Sequence, residues 1–419
     1  MFERTTLPNG LRVLTSSMPH TRSVSIGIFV GAGSRYEDDP IAGASHFLEH
    51  MLFKGTEKRP EPAMISGTIE NVGGVINAST DREVTIYWAK VASAHFGLAI
   101  DLLADIVLHS TMPAHEVERE RGVIIEELSS TYDQPDSLAD MLIDETIWPD
   151  QPMGRDVGGS RASVSAISRQ QLLDYYTTQY RPNNAVVAVA GNVTHAEVID
   201  TVGRLMGDWQ PGEVHPWKGV EAAPSGIRVT LGQKKTDQAH VCIGMGGTAA
   251  LAPDRYHLDM LNTVLGEGMT SRLFLEVRER RGLAYEVHST TFHYRDCGAV
   301  IVYCGVDTAK VDSAVEAIKG EIARIHNDIS PDEVRKAIDF TTGRLMLRLE
   351  DTRAVMSWLG AQEILHNRVR TPDEIAELLQ SVTPAEVLEA AHRYLVPSEY
   401  KMAVVGPFRS EARFRKLLA

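Results

Sequence analysis

The sequence predicts an α+β fold of two homologous α/β sandwich domains, each with a mainly antiparallel sheet packed against helices. The first observation is an internal repeat: residues 168–191 match residues 383–406 without a gap, at an offset of 215 residues. In both segments a Ser or Thr that can cap a helix precedes an amphipathic stretch, a Pro and an apolar strand that stops at a Gly. The second observation is that helical stretches follow one another in pairs. Strict alternation with strands, the pattern of a parallel βαβ sheet, is absent.

The repeat divides the chain into an N-terminal domain, residues 1–215, and a C-terminal domain, residues 216–419. A stretch with Pro and Gly, residues 210–226, joins them. The domain starts also agree, because Gly10-Leu11-Arg12-Val13 resembles Gly226-Ile227-Arg228-Val229 and Ile26-Gly27 resembles Ile243-Gly244. Apolar periodicity in the first domain predicts strands over residues 11–16, 23–31 and 75–91, and helices over residues 93–109 and 113–131.

Charge and composition exclude several classes of function. The chain has 56 acidic and 42 basic residues and a net charge of −14, without clustered Lys or Arg, which argues against nucleic acids and anionic membranes as partners. Its 3 cysteines show no Cys-x-x-Cys spacing, so neither a disulfide framework nor a thiolate zinc site is predicted. No apolar run approaches the length of a membrane span, and the N-terminus lacks a signal-peptide pattern. We expect a soluble, cytoplasmic protein.

One short helix near the N-terminus carries the pattern with the most chemical content. At about 100° per residue, His46 and His50 lie about 40° apart and Glu49 about 60° to the other side of His46. Two histidines at i and i+4 can bind one Zn²⁺, and the Glu can take a proton from a water molecule at that metal. The order His-x-x-Glu-His is the inverse of the commoner His-Glu-x-x-His motif. Two core histidines beside a surface Glu would give the same pattern, so a third ligand is needed.

The predicted helix over residues 113–131 offers that ligand. Glu120 and Glu127, seven residues apart, lie within about 20° of each other at the edge of an apolar face, whereas Glu126 points away from it. We therefore predict Glu127 as the third ligand. Glu120 could orient a histidine or hold the ligand carboxylate. The residues that define the apolar face are Val117, Ile124 and Leu128.

These two segments together, His-Phe-Leu-Glu-His at residues 46–50 and Glu-Arg-Gly-Val-Ile-Ile-Glu-Glu at residues 120–127, resemble the pitrilysin family of zinc peptidases. The likeness covers essentially the whole chain. It is closest to the half-length bacterial members and those of the mitochondrial-processing-peptidase type. The resemblance implies a LuxS/metalloendopeptidase-like fold.

The resemblance also implies roles for the residues of both motifs. His46, His50 and Glu127 would bind one Zn²⁺ per chain. Glu49 would act as the general base, and Glu120 would support the site. Ligand types alone leave Mn²⁺ and Co²⁺ open as substitutes for zinc.

For the substrate, the resemblance implies that residues 74–80 form an edge strand whose backbone pairs with an extended peptide. The substrate-binding residues on this strand would be Asn77, Ala78 and Ser79. Processing peptidases that cut near arginine use acidic side chains in the helix after the third ligand. Ser137 and Met141 stand at the matching positions here, so presequence-type specificity is not expected.

The second half matches a family segment whose Arg and Tyr, seven residues apart, reach the substrate and the transition state. Here they are Arg278 and Tyr285. The second half lacks the metal motif, and residues 257–261 at the corresponding place cannot supply paired ligands. Larger relatives hold four such domains in one chain. The resemblance therefore implies a homodimer in which the partner's C-terminal domain completes each active site.

The expected activity is that of a zinc endopeptidase acting on extended peptides or unfolded protein segments. Three alternatives stay open. The chain could be a catalytic subunit that needs a distinct, separately encoded partner, or a non-catalytic subunit that keeps the fold. It could also be a metal hydrolase with a non-peptide substrate if the edge-strand interpretation of residues 74–80 is wrong.

Overall fold

The computed structural model describes residues 2–222 and 225–419. The strands are β1 (Glu3–Thr6), β2 (Arg12–Ser17), β3 (Ser23–Val30), β4 (Val75–Thr80), β5 (Thr85–Ala92), β6 (Ala185–Gly191), β7 (Arg228–Gln233), β8 (Gln238–Gly246), β9 (Ala284–His293), β10 (Gly298–Asp307) and β11 (Lys401–Gly406). The α-helices are α1 (Ala44–Met51), α2 (Pro62–Glu70), α3 (Phe96–His109), α4 (Ala114–Asp133), α5 (Pro135–Ile147), α6 (Arg161–Ala166), α7 (Arg169–Gln179), α8 (His195–Met206), α9 (Arg255–Gly266), α10 (Val311–Asp328), α11 (Pro331–Arg348), α12 (Thr352–His366), α13 (Pro372–Gln380), α14 (Pro384–Tyr394) and α15 (Glu411–Leu418). A π-helix spans Phe274–Arg280, and 3₁₀ turns occur at Ser34–Tyr36, Asp39–Ile41, Ser93–His95, Pro152–Gly154, Pro182–Asn184 and Pro397–Glu399.

Each half of the chain contributes one helical segment to the other half's compact unit. One unit comprises Met1–Leu128, Asp156–Lys218 and Met346–Thr371, and the other comprises Ser129–Arg155, Gly219–Leu345 and Pro372–Ala419. The units thus differ from the predicted contiguous halves at residues 129–155 and 346–371. The physical reason is that α12 buries its apolar side on the first sheet and α5 buries its apolar side on the second.

The first sheet has the strand order β1-β2-β6-β3-β5-β4, in which only the β2–β6 pair is parallel. Side chains along β3 alternate between the two faces of the sheet. Ile26 and Ile28 join the larger core, whereas Phe29 faces α12. The helix approaches closely there: a β-carbon at Gly360 would lie 2.0 Å from the Phe29 ring, and one at Gly27 would lie 2.3 Å from Met356 Sδ. Glycine at these two positions permits the contact between sheet and helix.

The second sheet has the order β7-β11-β8-β10-β9, which repeats the order β2-β6-β3-β5-β4 of the first with the same strand directions. The α+β prediction of two similar domains is confirmed. The predicted caps are confirmed as well, since Ser168 and Thr383 each form a capping box at the start of α7 and α14.

The sheet register corrects one detail of the predicted repeat. Ile26 lies opposite Ala89 and Val189, whereas Val241 lies opposite the matching residues of the second sheet, Cys304 and Val404. Ile26 therefore corresponds to Val241 and not to Ile243. A shift of two residues keeps the side chain on the same face of the sheet, so apolar alternation alone could not detect it.

The predicted strand over residues 75–91 is in fact a hairpin. The chain reverses after β4, where the Asp81 amide donates to the Val84 carbonyl at 2.9 Å and the Arg82 amide to Asp81 Oδ1 at 2.7 Å. Among the described strands, β4 pairs only with β5 and lies at the edge of the sheet. Its half-buried face packs against α1.

A buried carboxylate fixes the start of α1. Glu37 has no solvent exposure, and its two oxygens accept the amides of Gly43 at 2.8 Å and Ser45 at 2.7 Å. Gly43, with φ 95°, precedes the first helical residue. Glu37 thus satisfies amides that the helix itself cannot pair.

We expect Glu37→Ala to lower the free energy of unfolding by about 2–4 kcal/mol, because two buried amides lose their acceptor. Urea denaturation would measure the change. The matched control is Glu61→Ala, since Glu61 also precedes a helix but makes no side-chain cap hydrogen bond. Its expected effect is within about 0.5 kcal/mol. Equal effects of the two substitutions would contradict the anchoring role of Glu37.

Candidate metal centre

The helix α1 presents two imidazoles on one side while it buries the opposite side. Phe47, Leu48 and Met51 are fully buried in the core of the first unit. The His46 and His50 side chains remain 24% and 17% exposed. Their ring centroids are 4.8 Å apart and the ring planes are nearly perpendicular. The i, i+4 spacing therefore places the two rings side by side on one face of the helix, as helical geometry predicts.

Helix α4 brings the predicted third ligand to the same place. Glu127 Oε2 lies 3.4 Å from His50 Nε2 and 3.9 Å from His46 Nε2. One ligand atom from each of these three residues lies within 4.8 Å of the other two. Two imidazole nitrogens and one carboxylate oxygen form a donor set that fits a catalytic Zn²⁺, which commonly has three protein ligands.

The protonation state of His46 also fits a metal ligand. Burial, together with the neighbouring His50, lowers the pKa of His46 to about 4. The ring is therefore neutral at physiological pH, which is the form that can bind a metal.

Glu120 contacts the far side of the His50 ring. Its Oε2 accepts a hydrogen bond from His50 Nδ1 at 3.0 Å, and its Oε1 lies 2.8 Å from Lys54 Nζ. Burial would raise the pKa of Glu120, but the hydrogen bonds from Lys54 and His50 outweigh it and lower the pKa. Of the two functions considered for Glu120, the geometry matches the one that orients a histidine, because Nδ1 carries the proton and Nε2 faces Glu127.

Glu49 lies between α1 and the edge strand. Its Oε2 accepts a hydrogen bond from Thr80 Oγ1 at 2.6 Å. Burial raises the pKa of Glu49, and the hydrogen bond from Thr80 partly opposes this rise. A carboxylate with a raised pKa can hold a proton more readily during a reaction at neutral pH.

The three predicted substrate-binding residues all lie on β4. Asn77 and Ser79 are exposed, and Ala78 is half-buried on the face toward α1. The Ala78 amide donates to Asn77 Oδ1 at 2.8 Å. The strand is an edge, so its outer backbone groups have no neighbouring strand among the described residues.

Arg278 and Tyr285 contact each other in the second unit. Arg278 belongs to the π-helix, and Tyr285 lies at the start of β9 with 77% exposure. The guanidinium carbon of Arg278 lies 4.7 Å from the Tyr285 ring centroid and 4.8 Å from that of Phe274. The structure therefore brings this pair together, while the histidines and carboxylates above belong to the first unit.

Sequence reasoning missed two residues of the site, Lys54 and Thr80. Lys54 follows His50 by one helical turn, so the spacing could have suggested that it shares a partner with His50. Thr80 carries a weaker signal, since only the alternation along β4 places it on the same face as Ala78.

No helix in the described part of the chain has the length and apolar character required to span a bilayer. This finding agrees with the absence of long apolar runs in the sequence.

Comparisons with known proteins give one consistent result. The family model described as insulinase, peptidase family M16, matches residues 12–161, and the model described as peptidase M16 inactive domain matches residues 166–340. An uncharacterized zinc protease of Streptomyces coelicolor is 37% identical over 98% of this chain and 91% of its own length. One from Mycobacterium leprae is 40% identical over 97% of this chain and 92% of its own.

A solved protease from Helicobacter pylori has the same fold. Its TM-score is 0.92 at 21% identity, covering 97% of this chain and 99% of that one. The match of both halves to models of one family, and the identity to full-length relatives, lead to one conclusion: this chain belongs to peptidase family M16.

Proposed function

We propose that the protein is a zinc-dependent endopeptidase that hydrolyses extended peptides or unfolded protein segments. The observation that carries the proposal is the approach of His46 Nε2, His50 Nε2 and a Glu127 oxygen to one another. Glu49 lies near enough to interact electrostatically with His50 and Glu127. The relatives named zinc proteases support it.

When bound by His46, His50 and Glu127, Zn²⁺ supplies a Lewis acid that polarises the scissile carbonyl and lowers the pKa of water. Glu49 takes the proton of the attacking water and later delivers a proton to the leaving amine. Thr80 holds the Glu49 side chain in place by its hydrogen bond at 2.6 Å. Glu120 fixes the His50 ring from the opposite side.

The edge strand β4 is the proposed substrate platform. An extended peptide adds to such an edge through backbone hydrogen bonds, so its direction is fixed while its side chains can vary. Asn77, Ala78 and Ser79 would contact it. The Ala78 amide would exchange its bond to Asn77 Oδ1 for one to the peptide. This mode favours unfolded segments over folded proteins, because the substrate backbone must be free to pair.

Cleavage of a mixed peptide library, read by mass spectrometry beside metal analysis, tests the proposal. We expect cuts by the wild type with about one zinc per chain. Full zinc without cuts would favour a catalytic subunit that needs a distinct partner. Absence of both zinc and cuts would favour a non-catalytic subunit.

We further propose a homodimer in which Arg278 and Tyr285 act at the zinc site of the partner subunit. The Arg–aromatic stack keeps both side chains together at the surface of the second unit. The presence of this pair and the metal residues in one chain supports a self-sufficient enzyme over one that needs a separately encoded partner.

Complementation between two inactive variants tests the shared site. A heterodimer of Glu49→Gln and Arg278→Ala subunits, isolated with two affinity tags, should have about half the wild-type activity, because one of its two sites receives intact groups from both chains. Each homodimer serves as a control and should stay inactive. A heterodimer as inactive as its parents would contradict donation of Arg278 between subunits.

A further inference from the structure

The two histidines of the candidate metal centre differ in what holds their rings. His50 Nδ1 bonds to Glu120 at 3.0 Å. His46 Nδ1 is buried and has no hydrogen-bond partner among the described residues. Both rings direct Nε2 toward Glu127, so a metal bound through Nε2 leaves the proton of each neutral ring on Nδ1. A buried N–H without an acceptor is destabilising.

A loop in the same unit brings a carboxylate close to this nitrogen. A β-carbon at Gly158 would lie 3.5 Å from His46 Nδ1 and 3.2 Å from Asp156 Oδ1. The His46 ring and the Asp156 carboxylate therefore both border the position that a side chain at residue 158 would occupy. On another side of that position, Leu128 Cδ2 would lie only 3.1 Å away. Because residue 158 is a glycine, no side chain fills the space between the His46 ring and the Asp156 carboxylate.

The loop is held in a defined conformation. Asp156 Oδ1 accepts the Gly158 amide at 2.7 Å, and the Asp156 carbonyl accepts the Gly159 amide at 2.9 Å. The loop also packs on the start of α1, because a β-carbon at Gly43 would lie 2.5 Å from the Gly158 carbonyl oxygen. The turn uses one carboxylate oxygen, Oδ1, and Oδ2 takes no part in it.

We propose that Asp156 is the positioning residue for His46, and that its Oδ2 accepts a hydrogen bond from the His46 Nδ1–H group, directly or through one water, when the metal is bound. The inference rests on the zinc site proposed above and extends it. Histidine ligands commonly donate their second ring N–H to a carboxylate, carbonyl or water, which fixes the ring and strengthens metal binding. Asp156 would do for His46 what Glu120 does for His50.

The variant Asp156→Asn separates this role from the structural role of the loop. Asparagine keeps Oδ1 as the acceptor for the Gly158 amide, but its second polar group is an NH₂ that donates hydrogen bonds and cannot accept one from His46. We expect the dissociation constant for zinc, measured by chelator competition, to rise about 10–100-fold. Glu120→Gln is the positive comparator and should show a change of similar size.

Asp81→Asn is the matched control. It removes the same charge near the same cation, since Arg82 lies 4.0 Å from Asp81 and also acts electrostatically on Asp156. Its zinc affinity should equal that of the wild type. The unfolding midpoint of each metal-free variant shows whether a loss of affinity comes from loss of structure.

A second measurement needs no variant. In the zinc-loaded wild type with ¹⁵N-labelled histidine, NMR should show slow solvent exchange for the Nδ1 protons of both His46 and His50. Fast exchange at His46, or an Asp156→Asn zinc affinity within twofold of the wild type, would overturn the inference and leave the proposed function standing. A wild type that binds no zinc would instead refute the proposed metal site itself.

Discussion

Substitution of Glu49 by Gln is expected to leave zinc bound and to lower the peptidase rate by about 10²–10⁴-fold. Glutamine has the same shape and can still contact Thr80, but it cannot take a proton from water. The proposed metal donors are His46, His50 and Glu127, so the substitution removes none of them. Metal content and initial rates on a cleavable peptide, measured on the same preparation, separate the two effects.

The control for this substitution is Glu57→Gln, an exposed carboxylate a few residues after the same helix. Its rate should equal that of the wild type. If Glu49→Gln cleaved the peptide at a near wild-type rate, Glu49 would not be the general base.

His50→Ala is expected to reduce zinc from about one per chain to almost none, since two protein ligands remain where a catalytic zinc commonly has three. Activity should disappear with the metal. The removal also frees Glu120 from one of its partners while the contact with Lys54 at 2.8 Å persists. Metal analysis after gel filtration, with added zinc omitted from the buffer, would measure the loss.

His115→Ala provides the control, because His115 lies on α4 but is 74% exposed and outside the candidate metal centre. It should retain full zinc. Full occupancy in His50→Ala would rule out His50 as a ligand.

The parts of this structure that could be predicted are those that depend on local geometry. Helical spacing alone places His46 beside His50 and puts Glu127 on the edge of an apolar face. Capping chemistry and apolar periodicity likewise identify the repeated segment that ends in β6 and β11.

The parts that could not be predicted depend on contacts between segments far apart in sequence. Thr80 meets Glu49 only because β4 packs on α1 in one particular register. Asp156 approaches His46 across a glycine that no spacing rule links to the metal helix. The placement of α5 and α12 in the unit of the other half could not be predicted, because an apolar helix face does not indicate which sheet it packs against.

The exchange of helical segments has a consequence for how the protein is made. The face of the first sheet that carries Phe29, Trp88 and Val186 is covered by α12, which the ribosome delivers only after about nine-tenths of the chain has been synthesised. Until then this apolar face stays open to water, although every predicted metal ligand has already emerged. The N-terminal half is therefore a poor candidate for separate expression, and nascent chains of this protein would need protection from aggregation until translation is nearly complete.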